Sequence, residues 1–176
     1  MENKNCKKTN RPKKAGFFDG GFSLDWQMNT GLPLKQIYLF EKTCTVLSNE
    51  VVLGFDFVTM KKNWQMDECG PILFVLPLRN GLAVFGQDGS SAVLDSLTGE
   101  VRWRKETGLA ATMPLFCFDK LFIATSNTLL CLDAADGHII WAFEAPENII
   151  AGPSCRDGNI VVADSGGHVF CLAPPQ

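Results

Sequence analysis

Four tryptophans, Trp26, Trp64, Trp103 and Trp141, stand 38, 39 and 38 residues apart. So constant a period across most of 176 residues admits few folds. Each period must be one structural unit, and units of about 40 residues build propellers or solenoids. Other residues keep the register. Asp56, Asp95 and Asp133 each lie eight residues before a tryptophan. Pro33, Pro71, Pro114 and Pro153 each follow a tryptophan by a modest gap, and Cys131 and Cys171 occupy equivalent places in "LLCLD" and "VFCLA".

Within a period the texture is that of short strands. "LAVFG", "SAVLD" and "VRWRK" are separated by "QDGS" and "SLTGE". Runs of four to six such residues between Gly, Asp and Asn turns read as antiparallel hairpins. The spacing predicts strands at 34–40, 43–47, 51–56 and 61–66, then at 71–77, 82–86, 91–95 and 101–105. A third set falls at 114–118, 121–125, 128–133 and 138–143. Asn80-Gly81, Asp119-Lys120 and Asp157-Gly158 mark equivalent turns. Four antiparallel strands per period make the blade of a β-propeller.

The repeated residues have structural work in such a blade. Asp95 ends a strand, where a carboxylate accepts hydrogen bonds from free N–H groups one or two residues on. Gly99 and Gly137 can leave the turn at positive φ. Trp103 and Trp141 fall on the fourth strand, where an indole can bury against the next blade and donate its N–H to a carbonyl.

This pattern resembles the quinoprotein-type, or PQQ-like, propeller repeat, Asp-x-x-Thr-Gly-x-x-x-Trp followed by Gly. "DSLTGEVRWRKETG" matches with Asp95, Thr98, Gly99, Trp103 and Gly108. "DAADGHIIW" matches with Asp133, Gly137 and Trp141, Asp136 standing in the Thr place. "DFVTMKKNW" keeps Asp56, Thr59 and Trp64 but has Met60 where Gly is expected, and "FDGGFSLDW" before Trp26 is degenerate. The resemblance implies that these residues join blades and do not themselves hold the quinone. Quinoprotein dehydrogenases need further funnel residues, calcium ligands and often a vicinal Cys-Cys pair, which this sequence lacks. Non-enzymatic relatives include bacterial outer-membrane assembly scaffolds and lumenal sensors of stress kinases. In style the chain stands nearest the C-terminal propeller of the cytosolic β-alanine-activating enzyme, an adenylate-forming protein whose adenylation machinery is not in this sequence.

Chemistry outside the repeat is sparse. Seven cysteines in no CxxC spacing fit reduced thiols in a cytoplasmic protein, since no secretory signal is seen. Cys131 and Cys171 sit among apolar strand residues and read as small hydrophobes. Turn residues repeated in every unit are not a catalytic constellation, which needs one unique arrangement. His138 and His168 lie beside turns with no spacing that suggests a triad. No catalytic, cofactor-binding or metal-binding residue is singled out.

Residues 1–14 hold six Lys and Arg against Glu2, a net charge of +5, and the rest of the chain carries −8. An acidic body gives no nucleic-acid-binding face. Residues 1–16 read as a disordered basic tail, "KKTNRPKK" being a possible nuclear signal, and residues 17–176 as an all-β partial propeller. Its strands sum to about three four-stranded blades. That is too few for a ring, so the chain is expected to be a fragment or isoform of a longer protein, or to close on a protein partner or a second copy. The function expected is a non-catalytic interaction or scaffold module without membrane or nucleic-acid contact. The alternative is a divergent quinoprotein-like dehydrogenase fragment needing further blades and pyrroloquinoline quinone.

Overall fold

The computed structural model describes residues 6–8, 26–40, 42–67 and 70–173. Every regular element among them is a strand. Two short strands come first, β1 (Cys6–Lys8) and β2 (Trp26–Met28), paired antiparallel with each other. Of the expected basic tail, only β1 falls within the described residues.

Blade 1 is the antiparallel meander β3 (Gln36–Leu39), β4 (Thr43–Leu47), β5 (Val52–Asp56) and β6 (Lys62–Met66). Blade 2 repeats it with β7 (Ile72–Leu78), β8 (Gly81–Gly86), β9 (Ser90–Asp95) and β10 (Val101–Glu106). Blade 3 does so with β11 (Leu115–Cys117), β12 (Lys120–Thr125), β13 (Thr128–Asp133) and β14 (Ile139–Glu144). These are the three four-stranded sheets expected. Blade 4 has three strands, β15 (Ile149–Arg156), β16 (Asn159–Asp164) and β17 (Val169–Leu172). Beside the three four-stranded blades, the described residues thus hold a fourth sheet of three strands.

Alternation along each middle strand sends side chains to both faces, and in blades 2 and 3 both faces are buried because a blade lies on each side. Leu47, Val52, Trp64 and Met66 of blade 1 pack on Ile72, Val75, Leu82, Val84 and Leu94 of blade 2. Ala83, Phe85, Val93 and Trp103 of blade 2 meet Leu121, Ile123 and Leu132 of blade 3. Phe122, Ala124, Leu129 and Cys131 of blade 3 meet Ile149, Ile160 and Val162 of blade 4. The core is thus three seams between consecutive sheets.

β2 pairs with β1, and β17 pairs only with β16 among the described residues. The outward face of blade 4 is correspondingly bare. Val169 is 70% exposed and Ile150 62%. At the other end, Ile37 and Leu39 on β3 are 61% and 64% exposed. Deeper in that first sheet, Cys44, Val46, Leu53, Phe55 and Met60 form a fourth buried cluster on the face turned away from blade 2.

Candidate functional site

The strand 1–2 and strand 3–4 turns share one face of the molecule, and the repeated Asp, Gly and Trp residues meet there. Asp95 Oδ1 accepts the N–H groups of Leu97 (2.8 Å) and Thr98 (3.1 Å). Its Oδ2 takes the Arg102 guanidinium at 2.7 Å, which also donates to Asn80 O at 2.7 Å. Asp56 Oδ1 accepts from Thr59 N (2.6 Å), Thr59 Oγ1 (2.7 Å) and Val58 N (3.1 Å). Asp133 Oδ1 accepts from Ala135 N at 2.7 Å. Thr98 Oγ1 in turn accepts Glu100 N at 3.2 Å, and Asp136 Oδ1 accepts His138 N at 2.9 Å in the equivalent place. A short oxygen acceptor is what the position requires, which explains the exchange of Thr for Asp.

Each tryptophan then reaches across a seam. The Trp64 indole N–H donates to Ser96 O at 3.2 Å, and a Cβ on Gly99 would lie 2.5 Å from its ring. The Trp103 N–H donates to Ala134 O at 3.0 Å, and a Cβ on Gly137 would lie 2.6 Å from that ring. Both glycines sit at φ +73. Glycine is thus required twice over at each position, once by the left-handed backbone and once by the indole lying flat on it. Lys105 Nζ adds a bond to Gly137 O at 2.6 Å. Met60 takes the same left-handed backbone at φ +55, with its side chain in the fourth cluster, 2% exposed.

Trp141 differs from its two counterparts. It is half-buried, tilted against Phe122 with ring centres 5.9 Å apart. No hydrogen bond joins its indole to a following turn among the described residues. The matching turn follows Leu172, where Ala173 stands at the Asp position and the next residues lie outside the described set.

A cleft of about 670 Å³ opens on this face between blades 1 and 2. Its apolar side is Leu39, Phe40 and Leu97, and its polar side is Lys42, Arg79, Asp95 and Arg102. The guanidinium of Arg102 holds the Asp95 carboxyl below the usual carboxylate range. The Thr59 N–H and hydroxyl do the same for Asp56. Phe118, at φ +52 in the next strand 1–2 turn, is also exposed on this face.

Two Asp–His pairs escaped sequence reasoning. His138 Nδ1 lies 2.8 Å from Asp136 Oδ1, and the His138 backbone N–H and ring hold that carboxyl low. His168 Nδ1 lies 3.0 Å from Asp164 Oδ2 in the strand 2–3 turn of blade 4. Burial opposes ionisation of Asp164, but the His168 N–H and ring outweigh it and its carboxyl stays low. The i, i+2 and i, i+4 spacings were the only signals available. Neither imidazole bonds a hydroxyl or thiol among the described residues. There, too, no three His, Cys, Asp or Glu side chains converge to hold a metal ion.

Residues 87–173 match the family described as outer membrane protein assembly factor BamB, PQQ_2. Over that stretch the repeat is similar to the PQQ-like, BamB-like type. The chain is 26% identical over 125 residues to the serine/threonine-protein kinase AfsK of Streptomyces griseus, covering 64% of this chain and 15% of that one. Among solved structures it resembles BamB from Moraxella catarrhalis, with TM-score 0.67 and 17% identity over 84% of this chain and 52% of that one. It also resembles the computationally designed Ika4 protein, with TM-score 0.64 and 12% identity over 82% of this chain and 93% of that one. At these identities the two structures establish the fold alone. The chain spans about half of the BamB chain and a small part of AfsK.

Proposed function

We propose that this chain is a non-catalytic protein-interaction module, a PQQ-like arc whose open end is completed by association, foremost with a second copy of itself. The observation that carries this reading is the bare last blade. β17 has an unpaired outer edge among the described residues, and Ile150 and Val169 project from the sheet face beside it. An open edge with apolar residues next to it is a template for pairing with another chain. Ile37 and Leu39 at the first blade offer a second apolar patch. Two arcs joined head to tail about a two-fold axis would cover both patches twice and set eight blades in a ring, within the four to eight that propellers use.

The Asp, Gly and Trp residues of the repeat serve in this reading as blade fasteners with no part in catalysis. The number of cysteines supports a reducing, cytoplasmic setting, and no helix among the described residues is long and apolar enough to cross a membrane. Kinship with the β-alanine-activating enzyme, and an origin as part of such a larger protein, rests on that same cysteine-rich style.

Light scattering across a concentration series tests the association. The expected result is a dimer that Val169→Lys converts to a folded monomer. A well-folded wild-type monomer across the series would retire the self-completed ring. Titration with pyrroloquinoline quinone and calcium tests the dehydrogenase alternative. The expected result is no change in absorbance or melting temperature and no dye-linked alcohol oxidation, and a clear response in these readouts would reverse the assignment.

A further inference from the structure

The third seam joins blades 3 and 4, where Trp141 packs half-buried against Phe122. Two thiols meet across this same seam. Cys117 ends β11 of blade 3 and Cys155 lies on β15 of blade 4. Both pack into the cluster formed by Phe122, Leu129, Ile149 and Ile160, on the neighbouring strands β11 and β15. Both are partly exposed, so a small reagent can reach them, whereas Cys131 in the same cluster is fully buried.

We propose that Cys117 and Cys155 are an oxidisable pair whose disulfide staples blade 4 to blade 3. The oxidant class is a low-molecular-weight disulfide such as glutathione disulfide. One cysteine thiolate attacks a glutathione sulfur, breaking the glutathione S–S bond, forming a mixed disulfide and releasing one glutathione thiolate. The second cysteine thiolate attacks the protein sulfur of that mixed disulfide and releases the other. The two cysteine sulfurs are oxidised by two electrons. Those electrons leave on two glutathione thiolates, which take up the two cysteine protons.

Burial, with Cys155 against it and Cys131 near, pushes the Cys117 thiol up to about 12. At neutral pH it is protonated and exchanges slowly, and the reaction quickens as pH rises. The bridge would close a long loop and tie down the blade with the most exposed outer face. It should therefore raise the melting temperature by about 5 °C, an order-of-magnitude expectation for such a cross-link.

The test incubates the full chain with glutathione disulfide at neutral and alkaline pH. Free thiols are then alkylated in denaturant and the peptides mapped by mass. The proposal expects a linked Cys117–Cys155 peptide that forms faster at alkaline pH. It also expects a melting temperature that rises by several degrees, returns on reduction, and does not rise in Cys155→Ala. The same result should be obtained in Cys171→Ser, which removes the exposed thiol on β17. Alkylation of both Cys117 and Cys155 after prolonged exposure, with glutathione or a second chain attached only at other cysteines, would overturn it. So would a linked peptide whose formation leaves the melting temperature unchanged, because the bridge would then fasten nothing.

Discussion

Met60, Gly99 and Gly137 hold the same left-handed turn position with different side chains. At Gly99 and Gly137 the space a Cβ would need is filled by an indole from the blade before. At Met60 the side chain is itself buried, among Cys44, Val46, Leu53 and Phe55. Gly99→Ala should accordingly destabilise by about 2 kcal/mol, combining an unfavourable backbone with displacement of Trp64. Met60→Gly should also destabilise. It relieves about 1 kcal/mol of backbone strain but removes a buried side chain worth about 2–5 kcal/mol. Among the tryptophans, Trp103→Ala should cost about 3–5 kcal/mol. Trp141→Ala should cost roughly half as much, because its ring is only half-buried. Urea unfolding midpoints measure all four. Equal losses for Trp103 and Trp141 would show that the cross-blade contact contributes nothing.

At the scale of the strand and turn, the blade depends on ionised aspartates. Asp56, Asp95 and Asp136 all have carboxyls held below their ordinary range by turn N–H groups or by Arg102. A carboxyl that is more acidic in the folded state contributes stability above its unfolded pKa of about 3.9. That contribution fades as pH falls through the lower folded value. Stability should therefore be flat near neutrality and decline below about pH 4. Asp95→Asn should lower the neutral value and weaken the acid dependence, as urea midpoints against pH will show. The elements themselves were legible. The predicted strands 43–47 and 128–133 are β4 and β13, because alternating apolar runs between Gly and Asp turns leave little freedom of register. The Asp136–His138 and Asp164–His168 pairs were not legible, because a two-residue or four-residue spacing joins side chains only once a turn folds it. The contact between Cys117 and Cys155 was equally hidden, since it depends on how two blades are set against each other.

For the whole molecule, the period of the tryptophans announced the propeller, while the way it ends had to be seen in three dimensions. The tryptophan spacing could not tell where β2 pairs, because a strand that could complete the last blade can also form a hairpin with β1. Among the described residues four sheets stand in series and the last ends at β17, with Val169 and Ile150 exposed. The proposed completion by a second copy makes this edge the decisive place to look. Amide hydrogen exchange in Val169–Leu172, followed as protein concentration is raised, tests that claim most directly. The account predicts rapid exchange in dilute solution and marked protection at high concentration, rising in step with the dimer and absent in Val169→Lys. Rapid exchange in this strand at every concentration, in a chain whose blades 1 to 3 stay protected, would contradict it.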